Sequence, residues 1–447
     1  MEIKGADSMA GIRSAGGIIS LLVLAACAQP QEILPGERLD LRAGLLSDDG
    51  TAARMNESRP ISLPAPRTND SWTHRAGTAS HRIAHPALGA GTTPVWVADV
   101  GQGNARRHRI TADPVVAGGR VFTLDSRATI TATSAAQGAT LWAADLTPPG
   151  ERTDSASGGG LATADGRVFV TTGFGELVAV DAASGGILWR QRLEAGATGA
   201  PTVAGGVVYV VSKDNRAWAI DAQDGKVRWQ FTGTPSPSSI VGGAGPAIGD
   251  TLAIFPFTSG EVVATFRNGG AERWRSRVMG QRPGQAYAGI TSIAADPVIV
   301  GNTVYAANAS GRVAALSLDS GNPVWTAREG ATSPLWVEGG SVFFVSDQGE
   351  LLRLDASSGA RIWGVPLPYQ VTDNPRRQRD VHVHYGPVLA GGRLWVASSD
   401  GLMRAFSPEN GAQITAAEIP AGAAANPVVA GGTLFVVSAA GRLHAYR

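Results

Sequence analysis

The sequence predicts an all-β fold, an eight-bladed β-propeller made of four-stranded antiparallel blades. Three observations lead to this prediction. A unit of four short apolar runs recurs along the chain, its first and last residues keep a nearly constant spacing, and two incomplete units at the ends complement each other. One face of such a blade can be buried only by its neighbours, so the repeated blades must close into a ring.

The unit is clearest from Pro201 to Trp229, PTVAGGVVYVVSKDNRAWAIDAQDGKVRW. Turn residues at 205–206, 213–216 and 223–225 divide it into the runs PTVA, VVYVVS, AWAID and KVRW. These runs are short and rich in residues that favour strands. The unit therefore predicts four consecutive antiparallel strands, which make one blade.

Seven complete copies of the unit follow one another. They span residues 114–142, 161–189, 201–229, 246–274, 297–325, 334–363 and 387–414. An eighth unit is split, because residues 427–446 supply three strands and residues 93–97, TPVWV, supply the fourth. The sequence thus predicts that an N-terminal strand pairs with C-terminal strands to close the ring, which removes the open edges that promote aggregation.

The units end in a common motif, Ala-x-Asp followed by Gly and then Trp. Two copies are Ala179-Val180-Asp181 with Gly185 and Trp189, and Ala219-Ile220-Asp221 with Gly225 and Trp229. The motif resembles the repeat of pyrroloquinoline-quinone (PQQ) type propellers, and this resemblance covers residues 93–447. From the residues alone, the Asp can accept turn N–H groups, the Gly can take a positive φ, and the Trp can fill the space between blades. We interpret the recurring Trp residues as scaffold.

Composition limits the classes of function. Lys plus Arg (38) nearly equals Asp plus Glu (37), and the formal net charge is +1, so nothing indicates a nucleic-acid partner. The single cysteine, Cys27, excludes an internal disulfide.

Residues 1–26 have the features of a lipoprotein signal peptide. A basic start precedes an apolar stretch, residues 18–26, that is too short to span a bilayer. Leu24-Ala25-Ala26-Cys27 matches the lipobox of bacterial lipoproteins, which predicts cleavage before Cys27 and its lipidation. A cleaved signal with an incidental cysteine is the alternative. Since Ala28 rather than Asp follows, the resemblance to sorted lipoproteins implies the periplasmic face of the outer membrane.

Residues 27–70 are predicted to be the lipidated cysteine and a flexible tether, and residues 71–447 the propeller. Residues 28–70 are polar, contain several prolines, and show no sustained period of 2 or 3.6. A flexible chain of this length has an end-to-end distance on the order of 35–40 Å. The tether would hold the propeller away from the membrane surface.

Histidines raise the hypothesis of a metal site. His74, His81 and His85 lie in SWTHRAGTASHRIAH, and His382 and His384 lie in DVHVHYG. The first three are irregularly spaced without a carboxylate or Cys beside them, and the second pair needs a third ligand from elsewhere. For the first three histidines, an ordered lead-in packed on the ring is favoured instead. For His382 and His384, polar lining of the channel or of a loop face is favoured. With no Gly-x-Ser-x-Gly motif either, no catalytic, metal or cofactor-binding residue is assigned.

Connections between blades differ in length. Pro334 follows Trp325 by nine positions, but Pro297 follows Trp274 by 23 and Pro387 follows Trp363 by 24. Inserts at one repeat position lie on one face, which is commonly the binding face. The long inserts mix apolar residues with Arg or Gly, and solvated variable loops are the alternative interpretation.

Lipobox, tether, eight PQQ-type blades and mature length together resemble the BamB family of outer-membrane assembly lipoproteins. The resemblance implies a non-enzymatic scaffold of the β-barrel assembly machinery. Its partners would be the POTRA domains of the Omp85-type barrel protein and the other lipoproteins of that machinery. The alternatives are a PQQ-dependent quinoprotein dehydrogenase and a binder of another envelope ligand, such as peptidoglycan or a sugar. The chain lacks the adjacent cysteines that alcohol-oxidising quinoproteins usually carry, so no cofactor is expected.

The same resemblance places the partner-binding surface near residues 238–243 and 288–296. Ile240, Val241 and Ile290 would form an exposed apolar centre, and Asp296 would be a polar group at its rim. The family's individual salt bridges are not transferred, because the Arg of the first segment is missing here. In the alternative, Ile240 and Ile290 fold inward under their own loops.

Overall fold

Short apolar runs between glycine-rich turns form thirty-two β-strands in the part of the chain that the computed structural model describes. That part comprises residues 56–237, 242–280, 282, 287, 289–372, 374 and 380–447. The strands make eight sheets of four. No helix in the described residues is long and apolar enough to cross a membrane. The prediction of an all-β, eight-bladed fold is confirmed.

The first strand, β1 (Pro94–Asp99), belongs to the last blade, and blades 1 to 4 follow it in sequence. Blade 1 contains β2 to β5 (Val115–Ala117, Arg120–Leu124, Thr129–Ser134, Thr140–Asp145). Blade 2 contains β6 to β9 (Gly159–Ala164, Arg167–Thr172, Glu176–Asp181, Ile187–Arg192). Blade 3 contains β10 to β13 (Thr202–Ala204, Val207–Val211, Arg216–Asp221, Val227–Thr232). Blade 4 contains β14 to β17 (Ala247–Ile248, Leu252–Pro256, Glu261–Phe266, Glu272–Arg277).

Blades 5 to 8 complete the ring. Blade 5 contains β18 to β21 (Ile293–Val300, Thr303–Asn308, Val313–Ser317, Pro323–Ala327). Blade 6 contains β22 to β25 (Trp336–Glu338, Ser341–Val345, Glu350–Asp355, Arg361–Pro366). Blade 7 contains β26 to β29 (His384–Ala390, Arg393–Ser398, Leu402–Phe406, Gln413–Glu418). Blade 8 contains β30 to β32 (Val428–Ala430, Thr433–Val437, Arg442–Tyr446) together with β1.

The first strand of each blade lies innermost. The first strands of neighbouring blades contact one another, as β6 does with β2 and β10, so together they surround a central channel. The second strands are almost wholly buried, and every residue of β11 is an example. The fourth strands lie outermost and alternate between exposed and partly buried residues, as in β13.

The two ends of the chain close the ring within blade 8. Strand β1 pairs antiparallel with β32, with Val97 opposite His444 and Asp99 opposite Arg442. Beyond the strands, the backbone N–H groups of Thr93 and Arg447 each donate to the other's carbonyl, at 3.0 and 2.9 Å. The predicted pairing of the N-terminal strand with the C-terminal strands is therefore confirmed.

Tryptophan joins each blade to the next at six junctions. The indole packs on the motif glycine of the following blade, and the pairs are Trp142–Gly185, Trp189–Gly225, Trp229–Gly270, Trp274–Gly321, Trp325–Gly359 and Trp363–Gly411. Each indole Nε1 also donates to a carbonyl of that blade, at 2.7 to 3.2 Å. Glycine is required because, at Gly225 (φ 75°), a Cβ would come within 2.7 Å of the Trp189 ring. The motif thus encodes the contact between blades.

The junctions beside the split blade depart from this pattern. Trp96 packs on Gly138, but its buried Nε1 has no hydrogen-bond partner among the described residues. Blade 7 carries Ile414 in the Trp position, and this side chain is 51% exposed. Blade 8 thus receives no indole from blade 7 at this position. Among the described residues, the two junctions beside the split blade therefore lack the indole hydrogen bond that the other six make.

A lead-in, residues 69–87, runs once around the ring and contacts all eight blades in order. Its backbone or side-chain contacts, from blade 8 through blades 1 to 7, are Asn69 with Val429, Trp72 with Val116, Thr73 with Thr163, His74 with Val203, Ala79 with Ile248, Ser80 with Ile299, Arg82 with Glu338, and Pro86 with Gly391. The prediction of an ordered lead-in packed on the ring is confirmed.

A strap, residues 56–63, precedes the lead-in and lies on blades 6 and 7. The buried guanidinium of Arg353 donates to the carbonyls of Arg59 at 2.6 Å and of Pro408 and Glu409 at 3.1 Å. Arg353 stands where other units have the motif Ala. The structure thus differs from the predicted flexible tether over residues 56–70, because these backbone groups are bound to the ring. Residues 27–55 lie outside the described part of the chain.

Candidate functional site

The ring has two unlike faces. Because each blade has four antiparallel strands, every connection between successive blades lies on one face, which we call the insert face. The opposite face carries the turns between first and second strands and between third and fourth strands, and we call it the turn face. The lead-in contacts the ends of the innermost strands at the turn face.

Large side chains of the lead-in fill the channel mouth at the turn face. Trp72 is 1% exposed, and its ring stacks on that of Trp336 with 6.2 Å between centroids. Since Trp336 belongs to blade 6 and the Trp72 backbone pairs with Val116 of blade 1, this contact reaches across the channel. The lead-in therefore closes the mouth that it circles.

Arg75 extends from the lead-in into the channel and joins three blades. It donates from Nε to Asp113 at 3.0 Å and from a terminal nitrogen to the carbonyl of Gly243 at 2.7 Å, and it lies 3.4 Å from Asp296. Burial opposes its charge, but Asp296 and Asp113 outweigh that effect and raise the pKa of Arg75. Burial in turn raises the pKa of Asp113, against the effect of Arg75. Asp113 also accepts two hydrogen bonds from Asn426 at 2.7 Å.

One repeat position lines this part of the channel, the residue just before the leading Pro or Leu of each unit. It is buried in all eight units, as Asp113, Gly160, Ala200, Gly245, Asp296, Ser333, Gly386 and Asn426. Most of these residues are small. The two aspartates are the carboxylates that Arg75 contacts, so the sequence did carry a signal for this site: Ala-Asp-Pro at 112–114 and again at 295–297.

The predicted role of Asp296 at the rim of a partner surface is wrong. Asp296 is 0% exposed, and its Oδ1 accepts from the backbone N–H of Gly245 at 2.6 Å. The prediction placed it on a connecting loop, but the residue lies inside the innermost strand β18, from which its carboxylate reaches Arg75 in the channel. Asp296 therefore stabilises the interior.

The other predicted site residues have different outcomes. Ile290 is half-buried at the base of the insert between blades 4 and 5, where its N–H donates to Tyr287 at 2.9 Å and its carbonyl accepts from Ser310 at 2.7 Å. Ile240, Val241 and Cys27 lie outside the described residues. Of the two predicted partner residues that the structure describes, Asp296 is buried and Ile290 is partly accessible.

Both ring nitrogens of each lead-in histidine have a hydrogen-bond partner, and at least one of the two partners belongs to a blade. His74 lies 2.8 Å from Thr73 Oγ1 and 3.1 Å from the Val203 backbone, His81 lies 2.8 Å from the Pro297 carbonyl, and His85 lies 2.8 Å from the Pro64 carbonyl. Burial, with a smaller contribution from His81, lowers the pKa of His74 to about 3. His74 is therefore neutral at neutral pH.

The second histidine pair is divided between two environments. Both ring nitrogens of buried His384 are occupied, one by Ser398 Oγ at 2.7 Å and the other by the Pro368 carbonyl at 2.8 Å. His382 is half-buried on the insert that precedes it. In the part of the chain that the structure describes, no three His, Cys, Asp or Glu side chains are grouped as metal ligands.

An ionic clamp fixes the insert between blades 4 and 5. Arg282 donates from one terminal nitrogen to Asp347 at 2.8 Å and to Glu329 at 3.1 Å, and both carboxylates are buried. Burial opposes the charge, yet the two carboxylates raise the pKa of Arg282 above its usual value. Because Asp347 belongs to blade 6, the clamp holds the insert across blade 5.

A short hairpin on the insert face exposes apolar side chains. Residues 369–371 and 380–383, between blades 6 and 7, are joined by Val371 N–H to the Asp380 carbonyl at 3.2 Å and His382 N–H to the Tyr369 carbonyl at 2.8 Å. Exposed fractions are 42% for Tyr369, 52% for Val371, 43% for Val381 and 48% for Val383. The sequence showed only that this insert is long and mixed in character. Its pairing, which holds the apolar side chains outward, could not be seen there.

Comparison with known proteins identifies relatives of the chain. The family model described as "Outer membrane protein assembly factor BamB" matches residues 126–365 and 372–447. The BamB of Yersinia pestis is 24% identical over 71% of this chain and 79% of its own length. The BamB of Burkholderia pseudomallei is 24% identical over 73% of this chain and 83% of its own length.

Solved structures share the fold. The crystal structure of BamB from Moraxella catarrhalis matches with a TM-score of 0.65 at 19% identity, covering 80% of this chain and 99% of that one. The quinohemoprotein alcohol dehydrogenase from Comamonas testosteroni also matches with a TM-score of 0.65, at 15% identity, covering 84% of this chain and 80% of that one. At these identities the likeness concerns the propeller fold and does not separate an assembly factor from a dehydrogenase.

Proposed function

The chain belongs to the family of the outer membrane protein assembly factor BamB, and from this premise we propose that it is a non-enzymatic scaffold of the β-barrel assembly machinery. It docks on the POTRA domains of an Omp85-type barrel protein, beside the other lipoproteins of that machinery, and assists folding and insertion of outer-membrane barrels. The observation that carries the proposal is the division between the faces. The lead-in covers the turn-face mouth, while the insert face presents an exposed apolar hairpin.

The docking surface in this proposal is the hairpin together with Ile290 and, in the neighbouring connection, Ile240 and Val241. Val371 and Val383 give the hairpin an apolar surface that a partner can bury, and its backbone can extend a partner sheet. The Arg282 clamp supports this role because it fixes the base of the insert that carries Ile290. Asp296 has no part in the docking surface.

Capture on immobilised POTRA domains tests this surface. The soluble Cys27→Ser protein is compared with the same protein carrying Val371→Asp and Val383→Asp. A charge in a small apolar contact centre should weaken capture by about 2 kcal/mol, or about thirtyfold. Val324→Asp is the surface control for a single added charge, since Val324 is 60% exposed on the outer strand β21.

The melting temperature establishes that each variant is folded. Ile290→Asp is measured separately, because its half-buried side chain could also affect stability. Equal capture by the folded hairpin variant and the Val324→Asp control would show that the hairpin is not the docking surface.

We also propose that Cys27 is lipidated and holds the protein at the periplasmic face of the outer membrane. Cys27→Ser removes the acylated sulfur, so the full-length variant should no longer be processed as a lipoprotein. Recovery of that variant in the outer-membrane fraction at wild-type abundance would mean that protein contacts alone suffice.

The proposal includes the absence of a PQQ cofactor. Its basis is the sequence, in which Cys27 is the single cysteine and the adjacent pair of the alcohol-oxidising quinoproteins is missing. The protein should show neither dye-linked dehydrogenase activity nor uptake of PQQ when PQQ and calcium are supplied. Stoichiometric PQQ absorbance after desalting would support the dehydrogenase instead.

A further inference from the structure

Three arginines lie on one tight turn of the insert face, in the connection between blades 8 and 1. We call residues 105–109 the basic turn. The N–H of Ala105 donates to the carbonyl of His108 at 2.8 Å, and the N–H of His108 donates back to Ala105 at 3.4 Å. These two bonds place Arg106 and Arg107 at the tip. Both side chains are exposed, as is that of Arg109.

The basic turn is fixed from two sides. At its base, the N–H of Asn104 donates to the carbonyl of Ala439 in blade 8 at 2.7 Å. On the other side, His108 Nε2 lies 3.1 Å from the Asp154 carbonyl, and the N–H of Arg109 donates to Ser157 Oγ at 2.8 Å. Asp154 and Ser157 belong to the connection between blades 1 and 2. The turn therefore presents its charges from a fixed backbone.

The three guanidinium groups have no counter-ion within the described structure. Arg106, Arg107 and Arg109 form no ion pair with a described carboxylate, and the sequence from 100 to 112 contains no Asp or Glu. Two other arginines on the insert-face side are paired with carboxylates, Arg282 with Asp347 and Arg404 with Asp400. The basic turn thus keeps a local positive field in a chain whose formal net charge is only +1.

The strap reaches toward the same face. The N–H of Glu57 donates to the Ile362 carbonyl at 2.9 Å, and the Asn56 side chain exchanges two bonds of 2.9 Å with the Gly364 backbone. Strand β25 runs from the turn face at Arg361 to the insert face at Pro366. Followed toward its N-terminus, the strap therefore runs up the outer edge of blade 6 toward the insert face.

We propose that the basic turn binds the anionic phospholipid headgroups of a membrane surface. Guanidinium groups donate paired hydrogen bonds to phosphate, and each exposed Arg adds to attraction by an anionic bilayer. The turn has no apolar anchor of the kind that centres a protein interface, since Ile110 beside it is 4% exposed. A bilayer requires no such anchor. The strap is compatible with this partner, because its contacts with β25 run toward the insert face.

Co-sedimentation with lipid vesicles tests the proposal on soluble Cys27→Ser protein, without any assembly partner, so it can fail independently of the docking proposal. Vesicles of phosphatidylethanolamine with phosphatidylglycerol are compared with vesicles in which phosphatidylcholine replaces phosphatidylglycerol. The protein should bind the anionic vesicles preferentially, and added salt should weaken that binding. Arg106→Gln, Arg107→Gln and Arg109→Gln together should lower the apparent affinity about tenfold or more.

A control variant removes the same charge elsewhere. Arg67→Gln, Lys226→Gln and Arg273→Gln affect exposed side chains away from the insert face, and this protein should bind nearly as well as the parent. Equal losses in both triple variants, equal binding to neutral vesicles, or no binding by the parent would overturn the proposal. So would a basic-turn variant that keeps vesicle binding but loses capture by POTRA domains, because the turn would then be a protein contact.

Discussion

The turn face and the insert face come from the same eight repeats, yet their polar groups are used in opposite ways. At the turn face, the lead-in bonds to every blade, places Trp72 in the channel mouth and sends Arg75 into the channel. At the insert face, the hairpin leaves Val371 exposed, and the three guanidinium groups of the basic turn have no ion pair with a described carboxylate. Contacts that hold the ring together are concentrated on one side, and groups available to a partner lie on the other.

Connection length explains how one repeat supports both faces. The turns of the turn face are short and fixed by glycine, as at Gly205 and Gly206 with φ of 59° and 72°. Connections on the insert face vary from a spacing of nine positions, from Trp325 to Pro334, to one of 24 positions, from Trp363 to Pro387. Length can change there without altering a blade, so variable contacts can be added to a constant scaffold.

The largest expected effect comes from removing the closing strands. Deletion of residues 427–447 takes away β30 to β32, leaves β1 without a partner, and uncovers the blades on both sides of the gap. The lead-in would then bridge an open ring, so cooperative unfolding should be abolished. Calorimetry measures this directly. A truncated protein that melts as cooperatively as the full chain would show that the lead-in alone can hold the ring.

The fold was predictable because its determinants are local and repeated. Trp189 and Gly225 occupy fixed positions in the unit, and the residues at these positions make the same contact between neighbouring blades in other copies. The lead-in could not be derived in this way, since His74 meets Val203 across 129 residues and Arg75 meets Asp296 across 221. No periodic pattern links such positions.

The sequence contains a signal for some residues of the candidate site and none for others. Asp113 and Asp296 share the Ala-Asp-Pro context, which marks one channel-lining position, whereas the prediction treated Asp296 as a surface residue of its own loop. The exposed hairpin depends on how residues 369–371 pair with residues 380–383. The sequence does not show which of these residues pair, so only the structure shows the hairpin.

Trp72→Ala tests how much the turn face contributes to the free energy of unfolding while the ring stays closed. The side chain is 1% exposed and stacks on Trp336, so truncation leaves a cavity and should lower the free energy of unfolding by about 3–5 kcal/mol. Leu188→Ala on the outer strand β9, where Leu188 is 47% exposed, is the control and should change it by about 0.5 kcal/mol or less. Chemical denaturation measures both. Similar small losses of unfolding free energy in the two variants would mean that the lead-in covers the channel without stabilising the ring.

Acid should weaken the turn face through His74. Burial lowers the folded-state pKa of His74 to about 3 from the usual 6.5, so below pH 6.5 the unfolded chain takes up a proton that the folded protein does not. Stability is complete above pH 6.5 and is lost as pH falls toward 3, by about 2 kcal/mol between pH 8 and pH 5. Lowered pKa values of His81, His384 and His444 act in the same direction.

Unfolding free energies at pH 8 and pH 5 distinguish His74 from the other histidines. His74→Gln keeps a polar side chain that cannot titrate, so the difference between the two pH values should shrink by about 2 kcal/mol. An unchanged difference would assign the acid sensitivity to the remaining histidines and remove the special role of His74.

The smallest expected effect on stability is at the insert face, where Val371→Asp should leave the free energy of unfolding within about 0.5 kcal/mol of wild type. Val371 is 52% exposed, and the hydrogen bond that it makes within the hairpin comes from its backbone N–H, which the substitution retains. The aspartate would be solvated and would leave no buried group without a partner.

Ile83→Asp gives the opposite case, because Ile83 is a partly buried side chain of the lead-in that packs on the core and contacts Gly77. It should cost more than 1 kcal/mol, since a charge is poorly solvated there. If denaturant unfolding gave equal losses for the two substitutions, the hairpin would be part of the scaffold, and the separation between a structural face and a binding face would fail.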